Sequence, residues 1–352
     1  MTGSGVHAAI VDALLTSAEP SIRWKVRTRV LDEAPDDPGV IALREEIRSS
    51  ERVRRLLAPC LSPERPATYA KWQGAHWVLA ALADLGYPPG DAALHPLREQ
   101  LLDTWLDETY FVEFEAFTKS AAYRRRGVPV VHGRYRRCAS QQGNALRVLV
   151  ALGLTDDRCG ALVERLLLWQ WPDGGWNCDK NPAADTSSFC ETLLPMRGLA
   201  AFSATEASAD AGAAARRAAE VLLVRRLAYR ISTGELMHPE FAKLHYPLYW
   251  HYDVLGGLTG LAELGLLSDE RCIDALDLLE SLRLADGWPA HTRYYQVSTN
   301  IALHHDYVDW GGARARRPEE ATAAYQIAIQ QANTEAERRY LRRRLIEVSE
   351  QI

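Results

Sequence analysis

The sequence is poor in cysteine, and no two of its cysteines are close neighbours. Six are spread over 352 residues, and none of them forms a CxxC pair. This excludes a disulfide-stapled miniprotein and a local zinc or redox motif of the CxxC type. We therefore expect a protein whose thiols are reduced.

Long apolar runs and an excess of positive charge are also missing. No apolar run reaches the roughly 18 residues that a transmembrane helix needs. The first residues, MTGSGVHAAIVDALL, contain neither a basic segment nor a cleavage site. The net charge is −5, from 41 basic and 46 acidic residues, which argues against a general nucleic-acid-binding surface. We expect a cytoplasmic protein without an integral membrane segment or a nucleic-acid partner.

Phenylalanine is scarce, whereas tryptophan is abundant. The chain has six Phe and ten Trp, within an apolar fraction of 47% and a charged fraction of 25%. These fractions are typical of globular proteins and exclude intrinsic disorder. Because Trp combines a large apolar face with one hydrogen-bond donor, this composition suits a lined cavity as well as a core.

Helical periodicity dominates the chain. Apolar residues recur at helical spacing in 74–86, 143–153 and 253–265, and each stretch ends in Leu-Gly, a common helix stop. A second helical stretch follows each of them, at 91–106, 156–170 and 268–283. Another predicted helix pair occupies 188–201 and 205–229.

Two of these helical units are copies of each other. GLTDDRCGALVERLLLWQWPDGGW runs from Gly153 to Trp176, and GLLSDERCIDALDLLESLRLADGW runs from Gly265 to Trp288. Both ends are offset by 112 residues and the DDRC and DERC turns by 113, so one small indel separates the copies. The chain is therefore predicted to be a helical repeat protein.

One segment interrupts the helical pattern. TYFVEFEAF and GVPVVHGRY, near 110–137, are rich in β-branched and aromatic residues, which predicts a small β insertion. We expect a helical lead-in at 1–60, a repeat core at 61–310 and a C-terminal helical segment at 311–352. No Gly/Ser/Pro-rich linker separates them, so we expect one domain overall.

The segment LLLWQWPDGGWNCDK resembles the QW repeat of squalene and oxidosqualene cyclases. The overlapping GGWNCDKNPAADTSSFCETLLPMRGL is similar to a segment of protein prenyltransferase β subunits. The resemblance extends over roughly residues 65–310. It implies an all-α fold, the α/α-toroid, in which inner and outer helices alternate around a central apolar cavity. The expected function is that of an enzyme acting on a hydrophobic, isoprenoid-like small molecule by cyclisation, isomerisation or prenyl transfer.

The chain departs from these families in its acidic motifs. No DxDD occurs, and neither Asp36-Asp37 nor Asp156-Asp157 continues into DDxxD. Orthodox squalene cyclisation is therefore not expected. The tryptophans of the QW unit are interpreted first as structural fasteners that tie an outer helix to its neighbour.

A toroid would gather the N-termini of its inner helices at one rim, where helix dipoles favour anions. The catalytic candidates at that rim are Glu191, Asp253 and His251, acting as acids or bases. Glu191 has a second interpretation, because Ser188 and Glu191 fit the capping box at a helix start. The two interpretations remain open at the level of sequence.

Candidate substrate-binding residues are polar or aromatic and lie at or near the inner-helix starts. They are His76, Trp72, Gln142, Tyr246, Trp250, Tyr252 and Arg137. Several belong to the dense aromatic stretch KLHYPLYWHYDVL, which would stabilise a carbocation or bind a prenyl chain. The alternative is an aromatic core segment. Arg137 ends the basic stretch YRRRGVPVVHGRYRR, which is either an anion site or a solvated hairpin.

The resemblance to prenyltransferases also implies zinc as a candidate cofactor. Cys138, Cys190 and His251 lie roughly where that family places its metal ligands or begins its next inner helix, and Cys178 is a secondary candidate. The alternative is a set of ordinary packed thiols. HHDYVD at 304–309 is not expected to bind metal, because adjacent histidines point apart on a helix. A noncatalytic scaffold that binds a protein partner is the remaining hypothesis.

Overall fold

The computed structural model describes residues 10–284, 288–289 and 292–293. Helices make up 57% of the structure and strands 5%, with one small three-stranded sheet. The expected mostly helical class with a small β insertion is thus confirmed. The second DGW unit apart from Trp288, the HHDYVD motif and the predicted segment 311–352 lie outside the described residues.

The elements follow one another with short connections. Residues 10–15 are helical, and the helices after them are α1 (Pro20–Arg29), α2 (Pro38–Ser49), α3 (Glu51–Leu61), α4 (Ala75–Leu85), α5 (His95–Trp105), α6 (Lys119–Tyr123), α7 (Ala139–Ala151), α8 (Arg158–Trp169), α9 (Phe189–Glu206), α10 (Ala209–Leu223), α11 (Val254–Glu263) and α12 (Ile273–Ser281). Short 3₁₀ helices span Ala92–Leu94, Glu108–Tyr110, Pro239–Ala242 and Glu270–Cys272. The strands are β1 (Glu113–Glu115), β2 (Val128–Val131), β3 (Arg134–Tyr135), β4 (His245–Tyr246) and β5 (Thr292–Arg293).

The Leu-Gly helix stops are confirmed. Gly86, Gly153 and Gly265 all have positive φ, between 61° and 86°. A Cβ on Gly86 would lie 2.3 Å from the ring of Trp24, so this turn requires glycine for space as well as for conformation.

The helices of the repeat core fall into two alternating sets. Helices α4, α7, α9 and α11 pack against one another in sequence, and α5, α8, α10 and α12 each pack on the helix that precedes them. The first set is buried on most sides, as α4 shows, whereas α8 buries only a stripe that includes Leu162, Leu166 and Trp169. We call the first set the inner helices and the second the outer helices.

Inner helices α7 and α9 approach very closely. A Cβ on Gly143 would lie 2.4 Å from the Pro195 backbone, and one on Gly198 would lie 2.3 Å from the Gly143 carbonyl oxygen. Near the starts of the two helices, the Ser140 backbone N–H donates a hydrogen bond to the Glu191 carboxylate. The two helices therefore run in the same direction, and their N-termini are adjacent.

The QW unit joins two outer helices. Gln170, which follows α8, donates to the carbonyl oxygens of Gly174 (2.6 Å) and Ala214 on α10 (2.9 Å). The Trp176 ring nitrogen donates to the Leu166 carbonyl (2.9 Å), and Trp288 donates to the Leu279 carbonyl (2.9 Å). Leu166 and Leu279 are equivalent positions of the two copies. The repeat that is visible in the sequence is therefore present in the structure too.

The β insertion between α5 and α7 contains the short helix α6. Strand β1 pairs parallel with β2, which pairs antiparallel with β3. A small core of Ala116, Ala122 and Val131 lies beneath it. Strand β3 leads directly to α7, so the insertion is connected to an inner-helix start.

The described residues from Ile10 to Thr292 belong to one compact unit, and Arg293 is the single described residue of a second unit. Helices α1–α3 lie within the predicted lead-in. Among the described helices, none combines the length and apolarity needed to cross a membrane.

Candidate functional site

Three potential metal ligands from separate parts of the chain meet at the inner-helix starts. Cys138 precedes α7, Glu191 lies in the first turn of α9, and Cys178 lies in the loop after the QW unit. One ligand atom from each residue lies within 4.8 Å of the other two, and all three residues are half-buried. Within the described part of the chain, no other group of three His, Cys, Asp or Glu side chains is this close. We call these residues the Cys-Cys-Glu group.

Hydrogen bonds orient the carboxylate of this group. The Ser140 backbone N–H donates to Glu191 Oε2 (3.0 Å), and the Cys178 thiol donates to Glu191 Oε1 (3.3 Å). The capping-box interpretation is wrong, because Ser188 makes no side-chain cap hydrogen bond. In a capping box, the glutamate side chain would accept a hydrogen bond from the Ser188 backbone N–H. Here that N–H donates instead to the Trp176 carbonyl (2.8 Å). Glu191 is therefore directed toward α7.

Burial and mutual hydrogen bonds shift the pKa values of all three side chains. Burial raises the pKa of Glu191. A hydrogen bond with the Cys178 thiol lowers the pKa of Cys138, and the same bond raises the pKa of Cys178. Without a cation between them, the three acidic groups do not all ionise together.

Two basic residues lie near the group. Burial lowers the pKa of Arg137, an effect that the charges of Cys138 and Glu191 oppose. Lys180 donates to the Ala122 carbonyl (3.0 Å). Burial lowers the pKa of Lys180, and the charges of Cys138 and Cys178 oppose this shift in part. These two cations offset part of the negative charge of the group.

Gln142 links Arg137 to the helix start. In the amide orientation that satisfies both neighbours, it donates to the Cys138 carbonyl (3.1 Å) and accepts from Arg137 (3.1 Å). Gln142 is completely buried. It positions the Arg137 side chain and the Cys138 backbone, and it has no exposed surface with which to touch a substrate.

The donor set fits zinc. Thiolate sulfur and carboxylate oxygen are common zinc ligands, and three protein ligands leave a fourth position for a reacting molecule. The Ser140 N–H supplies the second-shell hydrogen bond that typically fixes a carboxylate ligand. Cys178 was only a secondary ligand candidate, on the basis of its place in the loop after the QW unit, and Glu191 was predicted as a catalytic acid or base rather than as a ligand.

Cys190 and His251, which the sequence analysis grouped with Cys138, do not belong to the Cys-Cys-Glu group. Cys190 directly precedes Glu191, and successive side chains on a helix point about 100° apart. Burial raises the pKa of the Cys190 thiol to about 11, although the Tyr252 backbone N–H partly opposes this shift. His251 stacks on Trp250, with ring centroids 4.7 Å apart.

Asp253 is tied into the helix start that it precedes. Its carboxylate accepts the Gly256 N–H (2.7 Å), the His245 backbone N–H (2.7 Å) and a contact from His245 Nδ1 (3.1 Å). Both side chains are 2% exposed, and Glu240 lies 3.6 Å from His245 Nε2. Asp253 is thus the N-cap of α11 and also binds the backbone of β4 at His245. The His245 ring is the side chain that its carboxylate contacts.

His76 lies inside an aromatic cluster. Its ring nitrogens contact the Trp105 indole N–H (3.2 Å) and the Asn144 amide (3.1 Å), and it is 1% exposed. Burial lowers the pKa of His76 to about 3, so it is neutral at ordinary pH. Tyr69 and Trp77 pack against the same ring, at centroid distances of 5.1 and 4.8 Å.

Tyr69 connects this aromatic cluster to the Cys-Cys-Glu group. Burial raises its pKa to about 12, and the charges of Cys138, Glu191 and Cys178 contribute to the shift. Tyr69 was not among the predicted site residues, because Tyr69 lies in the loop before α4. Only the packing of that loop places it beside α7.

A second set of aromatic rings joins the segments before α4 and α11. The rings of Trp72 and Tyr249 lie 3.7 Å apart, and Trp250 stacks on Trp72 at 5.8 Å. Trp72 and Tyr249 have φ of 68° and 51°, a conformation that is strained for bulky residues. Tyr249 and Trp250 are half-buried. We call Trp72, Tyr249 and Trp250 the aromatic surface.

The other predicted substrate-binding residues have different locations. Tyr252 is 2% exposed, donates to the Leu227 carbonyl (2.7 Å) and packs on Phe189, so it is a core residue. The side chain of Tyr246 lies outside the described residues. Arg137 is beside the Cys-Cys-Glu group.

Charged residues occupy the opposite ends of the inner helices. Arg197 on α9 pairs with Glu263 on α11 through two hydrogen bonds of 2.7 and 2.6 Å. Arg147 donates to Asn144. Although burial raises the pKa of Asp84, the charges of Lys25, Arg147 and Arg197 hold it below its usual value. These charged side chains form an electrostatic network at this end.

Comparisons with known proteins give no match. No family model, no curated protein and no solved structure matches this chain. The function is therefore inferred from the geometry of the described residues.

Proposed function

We propose that this chain is a zinc-dependent enzyme that acts on a hydrophobic, isoprenoid-like small molecule. The metal would be held by the Cys-Cys-Glu group, and the substrate would lie against the aromatic surface. The observation that carries the proposal is the convergence of Cys138, Cys178 and Glu191 within 4.8 Å. These residues are 40 and 13 positions apart in the sequence, so their meeting depends on the fold.

We also propose that the inner and outer helices form an α/α-toroid. Each inner helix packs on the next, and an outer helix follows each inner one. The contact of Trp72, before the first inner helix α4, with Tyr249, before the last described inner helix α11, supports a closed ring. The order of elements and this contact agree with the resemblance to cyclases and prenyltransferases.

An apolar substrate suits the residues next to the metal ligands. The half-buried ring of Tyr69 contacts the buried rings of Trp77 (5.1 Å) and Trp105 (5.5 Å), and Trp77 in turn contacts Trp250 of the aromatic surface (5.4 Å). Aromatic faces bind apolar chains and stabilise positive charge. Such walls would also keep water away from a reactive intermediate.

Bound zinc would supply a Lewis acid that activates a water or thiol at neutral pH. The chain's own residues would prepare that site. Cys138 and Cys178 would release protons when they bind the metal, and the Ser140 N–H would hold the Glu191 carboxylate in place. Arg137 and Lys180 would balance the charge of the ligands.

Metal analysis tests the proposal. We expect about one zinc ion per chain in full-length protein purified without a histidine tag or added metal. Cys178→Ala should lose the metal, whereas Cys190→Ala, a matched change at another half-buried thiol, should retain it. Loss in Cys190→Ala with retention in Cys178→Ala would favour the ligand set expected from the sequence. Metal-free wild-type protein would reject zinc dependence.

A second candidate function is acid catalysis by Glu191 without a metal. It is favoured by the burial that raises the pKa of Glu191, an effect that the charge of Arg137 opposes only in part. In that case wild-type protein would contain no zinc, and Glu191→Gln would abolish turnover while Cys178→Ala would retain it.

Substrate binding can be tested separately from the metal. An isoprenoid alcohol should raise the melting temperature more than a straight-chain alcohol of equal length. Trp250→Ala should weaken this binding about tenfold or more, whereas Trp288→Ala, which removes a more exposed ring, should not. Absence of both metal and isoprenoid binding would favour the protein-binding scaffold.

A further inference from the structure

The β insertion carries a cluster of exposed aromatic and basic side chains. Phe117 is 76% exposed and Tyr123 is 64% exposed. Four basic residues, all exposed, accompany them: Lys119, Arg124, Arg125 and Arg126. We call residues 117–126 the basic-aromatic segment.

Local charge sets this segment apart from the rest of the chain. No acidic residue occurs between Glu115 and Asp156, although the whole chain has a net charge of −5. Within the described residues, none of the four cations of the segment is ion-paired. Surface arginines elsewhere commonly are, as Arg23 with Glu46 and Arg271 with Glu220 show.

The fold holds the two aromatic rings outward. Thr118 caps α6 by accepting the Ala121 N–H (3.1 Å). Ala116 and Ala122, which directly precede Phe117 and Tyr123, fill the small core of the insertion. Since the alanines occupy the inward positions, the neighbouring aromatic side chains are directed toward solvent.

We propose that the basic-aromatic segment docks on an anionic membrane surface. Phe117 and Tyr123 would enter the headgroup region, and the four cations would contact anionic lipid headgroups. Basic clusters with exposed aromatic residues have affinity for such interfaces. A lipid surface fits better than a nucleic acid, because the positive charge is confined to one short segment of an acidic chain and surrounds two exposed rings.

The segment is also connected to the candidate metal centre. Lys180 lies 4.1 Å from the centroid of the Tyr123 ring and donates to the Ala122 carbonyl, and it is two residues from Cys178. If the proposed function holds, a docked enzyme would take its hydrophobic substrate from the lipid phase beside this centre. The docking itself needs neither the metal nor the substrate.

Vesicle co-sedimentation of the full-length protein tests the proposal. We expect binding to phosphatidylcholine vesicles that contain phosphatidylserine, no binding to phosphatidylcholine alone, and weakening as salt rises. Arg124→Gln/Arg126→Gln should weaken binding about 25-fold, at about fivefold per cation. The matched pair Arg54→Gln/Arg216→Gln, which removes equal charge from exposed helix positions, should leave binding unchanged.

The aromatic contribution has its own control. Phe117→Ser should weaken vesicle binding several-fold, whereas Ile231→Ser, at a side chain that is 70% exposed, should not. Equal binding to both vesicle types, equal effects of the two arginine pairs, or no effect of Phe117→Ser would overturn the proposal. Tighter binding to a DNA duplex than to vesicles would also overturn it. Protein that lacks zinc but binds vesicles would reject only the metal centre.

Discussion

Glu191 and Asp253 occupy comparable places but have different surroundings. Each is a carboxylate at the start of an inner helix: Glu191 is half-buried on α9 and Asp253 is buried before α11, and both were predicted to be catalytic. Asp253 accepts two backbone N–H groups and contacts the His245 ring. Glu191 accepts the backbone N–H of Ser140, which is on another helix, and also interacts with the Ser140 hydroxyl and the Cys178 thiol.

The two carboxylates differ in the kind of donor that they accept: Asp253 accepts two backbone N–H groups, whereas one donor to Glu191 is a thiol that can itself ionise. Asp253 is a short side chain at the N-cap, so it reaches the first turn of its own helix. Glu191 is longer and lies within the first turn, where the Ser188 N–H is already bonded to Trp176. Its carboxylate therefore retains acceptor capacity for a cation. Four substitutions test this difference.

Asp253→Ala should cause the largest loss of stability, about 3 to 4 kcal/mol, because it leaves several buried donors without an acceptor. Denaturant unfolding would measure this loss. Asp37→Ala removes a more exposed N-cap that accepts Gly39 and Val40 and should cost only about 1 kcal/mol. Similar losses in the two variants would show that burial adds nothing to the role of Asp253.

His245→Leu should cost about 2 kcal/mol, since it removes a ring contact of Asp253 but preserves the backbone donors. Unfolding in urea would again report the change. His238→Leu, at an exposed histidine, is the matched control and should have a smaller effect. A neutral His245→Leu would contradict the assignment of His245 as a structural partner.

Gln142→Ala should cost about 1 to 2 kcal/mol through the loss of its contacts with Arg137 and the Cys138 carbonyl. It should also weaken zinc binding by about 10- to 100-fold, as is common when a residue that orients a metal ligand is replaced. Competition with a chromophoric chelator would measure the affinity. Loss of stability with unchanged zinc affinity would separate Gln142 from the metal centre.

Glu191→Gln should have the smallest effect on stability, less than about 1 kcal/mol in acid, because an amide replaces a protonated carboxyl of similar size. Burial raises the folded-state pKa above 4.5, so the contribution of Glu191 is full below that pH and is lost as pH rises. In chelator-treated protein the variant should therefore gain stability relative to wild type with increasing pH. A trend in the opposite direction would show that Glu191 is a satisfied carboxylate like Asp253.

Sequence patterns determined the local features of the fold. The helical period, the Leu-Gly stops, the repeated unit and the β insertion all follow from short-range preferences, and the described residues confirm them. The sequence also indicated that the starts of the inner helices carry the reactive side chains. Cys138, Glu191 and Asp253 do lie at such starts.

Tertiary structure alone decided which of these side chains meet. Gly143 and Gly198 allow α7 and α9 to approach closely, and this approach brings Cys138 to Glu191. The loop after the QW unit adds Cys178, while the cap at α11 pairs Asp253 with His245. Local periodicity fixes where a side chain lies on its own helix. The partner that it meets depends on packing distances between segments far apart in the chain, which no local pattern encodes.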